Sequence, residues 1–414
     1  MAPGPDSLPA EWHRVSFGQI LRRIERKQAL QNDAEYASVG VRWYGNGAFI
    51  RERRLGADIA AKEQSTIRAG DVVYNKLFAW KGSFAIADET VDGHIVSGEF
   101  PTYVLDESRV DPRYLSYFFR TADPALQAAP LSRGVAAISR RRLNPDQFLK
   151  LTIPLPDDVA EQRRLVEILQ EAEKRIVEAS RLRTEADAQS DALITSTIGM
   201  ALNKYDAQGL LGEVLTEKLR NGWSALCDNS EAGTPVLSVG AVTGFTFRPT
   251  EFKRTSEPTE PGAHYWLRPG DLLMTRANTR QLVGHVAFYD GVPSPCIYPD
   301  KMIRIRVDEA RADIRFVYYW LRTPTVRAVI EAAGSGTSST MQNITHRDVM
   351  ALPFPTSIGV DEQRRAVFGL DAIVRTVDEV RKAQRAATGD LQALFPALLD
   401  RACHGELAAR VVSA

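Results

Sequence analysis

Two groups of loop side chains carry most of the hydrogen-bonding potential of this chain. The first is Asn75, Lys76, Trp80 and Lys81, followed by Arg133, Ser139, Arg140 and Arg141. The second is Arg276, Asn278, Thr279, Arg280 and Gln281, followed by Ser338, Ser339 and Gln342. Arg and Lys match the guanine edge in the major groove of DNA, Asn and Gln match the adenine edge, and Ser and Thr serve either. The Arg140–Arg142 run suits phosphates better than bases, because three adjacent charges cannot all face one groove edge. For each residue the competing reading is a solvated loop position, and for Trp80 it is packing.

Catalytic chemistry finds little support. No GxxxxGK[ST] phosphate loop occurs, so an ATP-driven motor is not expected. Gly45-Asn46-Gly47 lacks a third glycine and a βαβ context, and predicts a hairpin turn instead. Asn144–Phe148 superficially resembles the Asn-Pro-Pro-aromatic pocket of amino-methyltransferases, but lacks the second proline and predicts a helix start. The six histidines are scattered without His-x-x-x-His spacing, so no metal site is expected. Cys227, Cys296 and Cys403 fit neither a disulfide framework nor a CxxC pattern, which points to a reducing, cytoplasmic setting. No apolar run of 18 residues and no N-terminal h-region occurs, which argues against membrane spanning and secretion. With 52 basic and 52 acidic residues, bulk charge does not hold nucleic acid here, although local basic loops still can.

The elements that must position these loops are written twice. Arg68–Tyr74 (RAGDVVY) precedes the first loop, and Arg268–Met274 (RPGDLLM) precedes the second, 200 residues later. Pro112–Thr121 is echoed by Ile314–Thr323, and EQRR at Glu161–Arg164 returns at Glu362–Arg365. Gly18–Arg23 is echoed by Gly212–Leu219, and the glycine-bearing loop from Arg133 by Gly334–Thr340. Five landmarks thus recur in order, at displacements of 194 to 202. The loops between them diverge, as NKLFAWKGS and TRANTRQLVG show. A repeated scaffold with unlike loops implies two specificities. Within each half, Trp12–Ile24 predicts a strand leading into a helix, Ala37–Ile50 short strands, and Asp111 the N-cap of an aromatic helix.

Each half ends in a long helix that follows a Pro-x-Pro stop. Val166, Leu169, Ala172, Ile176 and Ala179 form an apolar seam, and Val367, Leu370, Ile373, Val377 and Val380 repeat it 201 residues later. A helix from Val159 to Met200 is roughly 60 Å long at about 1.5 Å per residue. For the second helix to pack on the first it must run back, giving an antiparallel pair with a reader at each end. Two such readers would meet half-sites whose spacing the helices set, and a turn of DNA is about 34 Å.

This pattern resembles the specificity (S) subunits of type I restriction–modification systems, over nearly the whole chain. The resemblance rests on Pro154, Pro156 and Glu161–Arg164, on Pro353, Pro355 and Glu362–Arg365, and on the paired Arg-x-Gly-Asp strands. It implies an α+β fold: two mixed α/β target recognition domains separated by two long antiparallel coiled-coil helices, with a pseudo-twofold internal repeat. The expected boundaries are 1–155 and 204–357 for the recognition domains, 156–203 for the central helix, and 358–414 for the distal helix and tail. It further implies a non-catalytic subunit that reads a split sequence in double-stranded DNA. Two methylation subunits would dock on the helices, through Glu161, Gln162, Arg163 and Arg164 and through Glu362, Gln363, Arg364 and Arg365. Those subunits would use S-adenosylmethionine to methylate adenine, and two restriction subunits, where present, would use ATP and Mg. The second repeat departs from the first by two extra residues between Pro-x-Pro and EQRR. The alternatives are the recognition subunit of a methylation-only system, a stand-alone DNA-processing enzyme, and a structural coiled-coil connector.

Overall fold

The computed structural model describes residues 8–132, 141–228, 230–338 and 341–407. The chain divides into two compact units, Met1–Leu182 with Arg385–Ala414, and Arg183–Gln384. Among the described residues no helix is long and apolar enough to cross a membrane.

The first unit begins with β1 (Trp12–Ser16), β2 (Leu21–Ile24), β3 (Lys27–Ala29), β4 (Glu35–Val41) and β5 (Ala48–Leu55). It continues through β6 (Glu63–Thr66), β7 (Val72–Tyr74), β8 (Phe84–Ile86), β9 (Ile95–Val96) and β10 (Thr102–Leu105). The helices α1 (Pro112–Phe119), α2 (Asp123–Leu131) and α3 (Pro145–Phe148) follow, then β11 (Thr152–Pro156) and the long α4 (Val159–Leu202). One sheet has the order β2-β10-β7-β8, another β3-β6-β9-β4-β5, and β1 pairs with β11. The core is aromatic: Tyr74 stacks on Phe148 at 4.1 Å, with Phe17, Phe84, Tyr103 and Phe119 around them. Asp111 caps α1 by accepting the Arg113 N–H at 2.8 Å, and Asn144-Pro145 opens α3, both as the sequence indicates.

The second unit carries β12 (Gly209–Leu210), β13 (Thr234–Leu237), β14 (Phe252–Thr255), β15 (Leu272–Thr275), β16 (Ala277–Asn278), β17 (Val286–Phe288) and β18 (Met302–Ile305). Beyond these lie α5 (Ile314–Trp320), α6 (Pro324–Ala333), β19 (Ser335–Ser338), β20 (Met341–Asn343), α7 (His346–Met350), β21 (Pro353–Phe354) and α8 (Val360–Cys403). Its sheets have the orders β17-β15-β18 and β16-β20-β19, with β13 on β14 and β12 on β21.

Each unit contains one end of α4 beside the opposite end of α8. Leu165, Val166 and Leu169 share a core with Leu399, Ala402 and Cys403 in the first unit. Ile194, Ile198 and Leu202 share one with Val367 and Leu370 in the second, so within each unit the two helices run antiparallel. In the second unit Arg381 joins the helices through a polar layer, donating to the Asp187 carbonyl at 3.2 Å and to Asp191 at 2.6 Å.

Two expectations are corrected here. No α-helix follows β1, because Phe17–Gln19 is a single 3-10 turn and Leu21–Ile24 is a strand hydrogen-bonded to β10. On α8, Ile373 and Val380 are 40% and 49% exposed, whereas Val374 and Val377 pack against the core. The seam 367-370-374-377 has the alternating three-and-four spacing that keeps a helical stripe on one side, and a 3-3 start drifts off it.

The Arg-x-Gly-Asp turn is built identically in both units. The N–H of Arg68 donates to Asp71 and that of Arg268 to Asp271, each at 2.8 Å. The aspartate N–H returns to the arginine carbonyl at 3.0 Å in both. Gly70 and Gly270 take φ of +88° and +89°, a conformation that a Cβ disfavours, which is why glycine stands between arginine and aspartate.

Candidate nucleic-acid interface

Downstream of the first turn, β7 delivers the chain into Asn75–Ser83. Asn75 is buried and its side-chain oxygen accepts the Leu77 N–H at 2.9 Å, so this side chain shapes the turn rather than facing outward. Lys76 donates its Nζ to the Gly98 carbonyl at 2.5 Å, while its own carbonyl accepts the Leu143 N–H at 2.9 Å. That backbone bond brings the second loop to the first: Arg141 is exposed here, and Arg142 pairs with Glu99 at 3.1 Å. Arg133, Ser139 and Arg140 lie outside the described residues. Trp80 is half-buried and donates Nε1–H to the Leu77 carbonyl at 3.0 Å. Lys81 holds its ammonium 3.7 Å above the Trp43 ring and 5.1 Å from the Trp80 ring, a cation–π arrangement.

In the second unit the two candidate segments join in one small sheet. Ala277 and Asn278 in β16 pair with Asn343 and Gln342 in β20, and β20 pairs in turn with β19, which ends at Ser338. Arg276, half-buried, leads into this sheet, with its N–H on the Lys301 carbonyl at 2.8 Å and its carbonyl on the Ile344 N–H at 3.0 Å. Thr279 is half-buried, with its N–H on the Asn278 Oδ1 at 2.8 Å, and Arg280 and Gln281 are exposed. Ser339 lies outside the described residues. Buried Arg327 fastens this loop from beneath, donating to the Val283 carbonyl at 3.0 Å and the Gln281 carbonyl at 3.2 Å.

His285, a lone histidine with no spacing signal in the sequence, is buried beneath the loop of the second unit. Its Nδ1 accepts the Gly244 N–H at 2.9 Å and its ring stacks on Phe245 at 4.0 Å. Burial, then the charge of Arg327, pushes its pKa down to about 3 from the ordinary 6.5. A depressed folded-state pKa gives stability that is complete above the unfolded value and lost as pH falls toward the folded one. Between pH 7 and pH 5 this one group should therefore remove about 2 kcal/mol from the second unit. Thermal unfolding at the two pH values should show the loss in the wild type, and His285→Asn should flatten that dependence.

The EQRR segments prove to be structural anchors, which corrects part of the expected docking face. Gln162 and Gln363 are fully buried. Gln162 accepts the Asp111 N–H and donates to the Arg109 carbonyl, both at 2.9 Å. Gln363 accepts the Asp313 N–H at 2.9 Å and donates to the Arg311 carbonyl at 3.2 Å and the Ile358 carbonyl at 3.0 Å. Arg163 and Arg364 reach the capping carboxylates of Asp111 and Asp313 at 3.6 and 3.4 Å, and Arg164 pairs with Glu161 at 2.7 Å. Of the eight candidates, Arg163, Glu362, Arg364 and Arg365 are exposed. Large apolar side chains stand beside them, including Phe368 at 82% exposure. In the first unit a groove of about 760 Å³ runs along the helices, lined by Ile168, Ala172, Ile176, Leu391 and Leu394. Among the described residues no group of three or more His, Cys, Asp or Glu could hold a metal ion.

Each unit thus carries an identical Asp-closed turn feeding an unlike polar loop, and a buried glutamine ties each mixed α/β body to a long helix. No protein-family model matches the chain. Over 373 residues it is 23% identical to the EcoKI specificity subunit of Escherichia coli K12, a match covering 84% of this chain and 77% of that one. Over 199 residues it is 24% identical to the EcoEI specificity subunit of Escherichia coli, covering 46% of this chain but only 33% of that relative. In fold it matches a chain solved in work on complex assembly and conformational transition of the type I R-M system. The TM-score is 0.67 at 20% identity, over 97% of this chain and 100% of that one. It also matches the HsdS subunit from Thermoanaerobacter tengcongensis, with a TM-score of 0.57 at 22% identity, over 98% and 100% of the two chains. The chain is thus a relative of the type I restriction enzyme specificity subunits, and the resemblance read from its sequence is borne out.

Proposed function

We propose that the chain is the non-catalytic, sequence-reading subunit of a type I restriction–modification complex. Residues 1–155 read one part of a split DNA target and residues 204–357 read the other. The observation that carries this reading is the second unit's β16-β20-β19 sheet, which gathers Arg276, Asn278 and Gln342 beyond a turn shared with the first unit. Two methylation subunits dock along the helices, and Phe368 and the apolar groove of the first unit supply the apolar area such docking needs. S-adenosylmethionine belongs to those subunits, and ATP and Mg to restriction subunits where these join. The chain itself contributes direction and register to the chemistry, by fixing which adenine reaches the partner's active site.

Methylation mapping of cells that express the chain with its methylation subunits tests this. A split motif modified on both strands is expected. Arg276→Ala or Arg280→Ala should relax one half of that motif, since a bidentate base contact contributes about 1–3 kcal/mol of discrimination. Unchanged reading of both halves in both variants would remove these arginines from the base-reading set, and an absence of any motif would sink the function.

A further inference from the structure

The first unit displays an aromatic pair that its core does not use. Trp43 and Tyr44 are 42% and 64% exposed at the tip of the β4–β5 hairpin. Tyr44 and Gly45 take φ of +60° and +64°, and the Asn46 N–H reaches back to the Trp43 carbonyl at 3.3 Å. These are the marks of a primed hairpin turn, whose first central position favours Asn, Asp or Gly. A tyrosine there is strained, because its Cβ crowds the backbone.

The surrounding structure holds this strain in place. The Tyr44 N–H donates to the Lys81 carbonyl at 3.0 Å, the Gly45 N–H to the Gly82 carbonyl at 2.8 Å, and the Arg42 N–H to the Gly47 carbonyl at 2.9 Å. A Cβ on Gly45 would come within 2.3 Å of the Phe119 carbonyl oxygen, so the tip is pressed directly onto α1. Trp43 is braced by the Lys81 ammonium at 3.7 Å and the Phe78 ring at 5.6 Å, and it meets Tyr44 edge-on at 6.5 Å.

Phe245, 201 residues further on, has the same unusual backbone, with φ of +62°. Its ring is stowed, lying on His285 at 4.0 Å with the Arg322 guanidinium 5.0 Å away. Both units thus hold an aromatic at positive φ beside a glycine, Tyr44-Gly45 in the first and Gly244-Phe245 in the second, but only the first turns its ring outward. That ring stands on a tip hydrogen-bonded to the end of the Asn75–Lys81 loop.

We propose that Tyr44, backed by Trp43, is a stacking wedge that packs on the face of an unstacked nucleobase in the first half of the DNA target. The proposal rests on the DNA-reading function above. A planar ring on a pre-formed tip pays little entropy on binding, and every base offers a π-face, so the wedge adds affinity and favours easily unstacked steps.

The test uses the chain assembled with its methylation subunits and a duplex bearing the motif that methylation mapping yields. 2-Aminopurine is placed in turn at each position of the first half-site. With the wild type, fluorescence should rise at one position. Tyr44→Ala should abolish that rise and weaken binding on the order of tenfold or more, whereas Tyr44→Phe should keep the rise and bind within about twofold. Tyr44→Gly should lose the rise while unfolding at a temperature no lower than the wild type, because glycine relieves the positive φ. Binding and fluorescence unchanged in Tyr44→Ala would overturn the wedge and leave the DNA-reading function standing. So would a Tyr44→Ala variant that fails to assemble with the methylation subunits, which would assign the ring to a protein partner. A wild-type complex that neither binds nor modifies DNA would overturn both.

Discussion

Gln162→Leu should destabilise the first unit by about 3 kcal/mol, although leucine fills nearly the same volume. The change strands the Asp111 N–H and the Arg109 carbonyl, which Gln162 now satisfies at 2.9 Å each. A buried polar group left without a partner costs about 1–3 kcal/mol, so two such groups dominate any apolar gain. Gln363→Leu should cost the second unit more, because Gln363 serves three groups, the Asp313 N–H and the carbonyls of Arg311 and Ile358. Glutamate is no remedy at either position. It keeps the acceptor but presents a carboxylate oxygen to the carbonyl that the amide N–H now satisfies. Urea unfolding of the single variants checks the order, and equal stability of wild type and both leucine variants would show that the anchors contribute nothing.

These anchors show how the sequence could be legible in outline and opaque in role. EQRR was visible as a repeat because its spacing is exact in the chain. Its charges suggested an outward face. The helix geometry instead turns the glutamine inward, onto the capped start of α1 or α5, and that contact spans about fifty residues of sequence. No local pattern encodes a tertiary partner of this kind. The two-residue insertion before the second EQRR is absorbed ahead of the helix: α4 starts at Val159 and α8 at Val360, the same 201-residue offset that separates the glutamines.

The loops divide in the same way. Divergence between repeats marks the two candidate loop regions, and the paired Arg-x-Gly-Asp turns mark the strands β7 and β15 that lead into them. What residue type could not convey was which side chains remain outward once the loop folds. Asn75 has adenine-reading chemistry, yet the turn that follows β7 consumes its oxygen. Tyr44 stands beside the Gly-Asn-Gly segment that predicts a hairpin, and its exposure follows from a backbone conformation that residue type alone argues against. Periodicity holds where a helix meets a core, at Val166, Leu169, Val367 and Leu370, and misplaces Ile373 and Val380, which lie off the stripe that continues through Val374 and Val377.

Asp271→Ala should destabilise the second unit by about 3–5 kcal/mol, the range for breaking a buried ion pair by removing one partner. Asp271 closes its own turn through the Arg268 N–H at 2.8 Å and holds Arg306 at 3.0 Å and Arg304 at 3.6 Å. The Arg304 side chain is only 7% exposed, so on losing Asp271 it stays buried and keeps only the half-exposed Glu217 carboxylate at 3.6 Å. Asp71→Ala should cost less, about 2 kcal/mol, even though Arg26 grips Asp71 through two hydrogen bonds of 2.5 and 3.0 Å. The difference lies in the partner: the Arg26 side chain is 28% exposed and can be resolvated. Asp271→Asn should recover part of the loss, because the amide oxygen can still accept the Arg268 N–H while the charge is gone. Chemical unfolding of the three variants measures this order directly. A larger loss from Asp71→Ala than from Asp271→Ala would mean that the shared turn geometry, rather than the burial of its arginines, sets the stability of each unit.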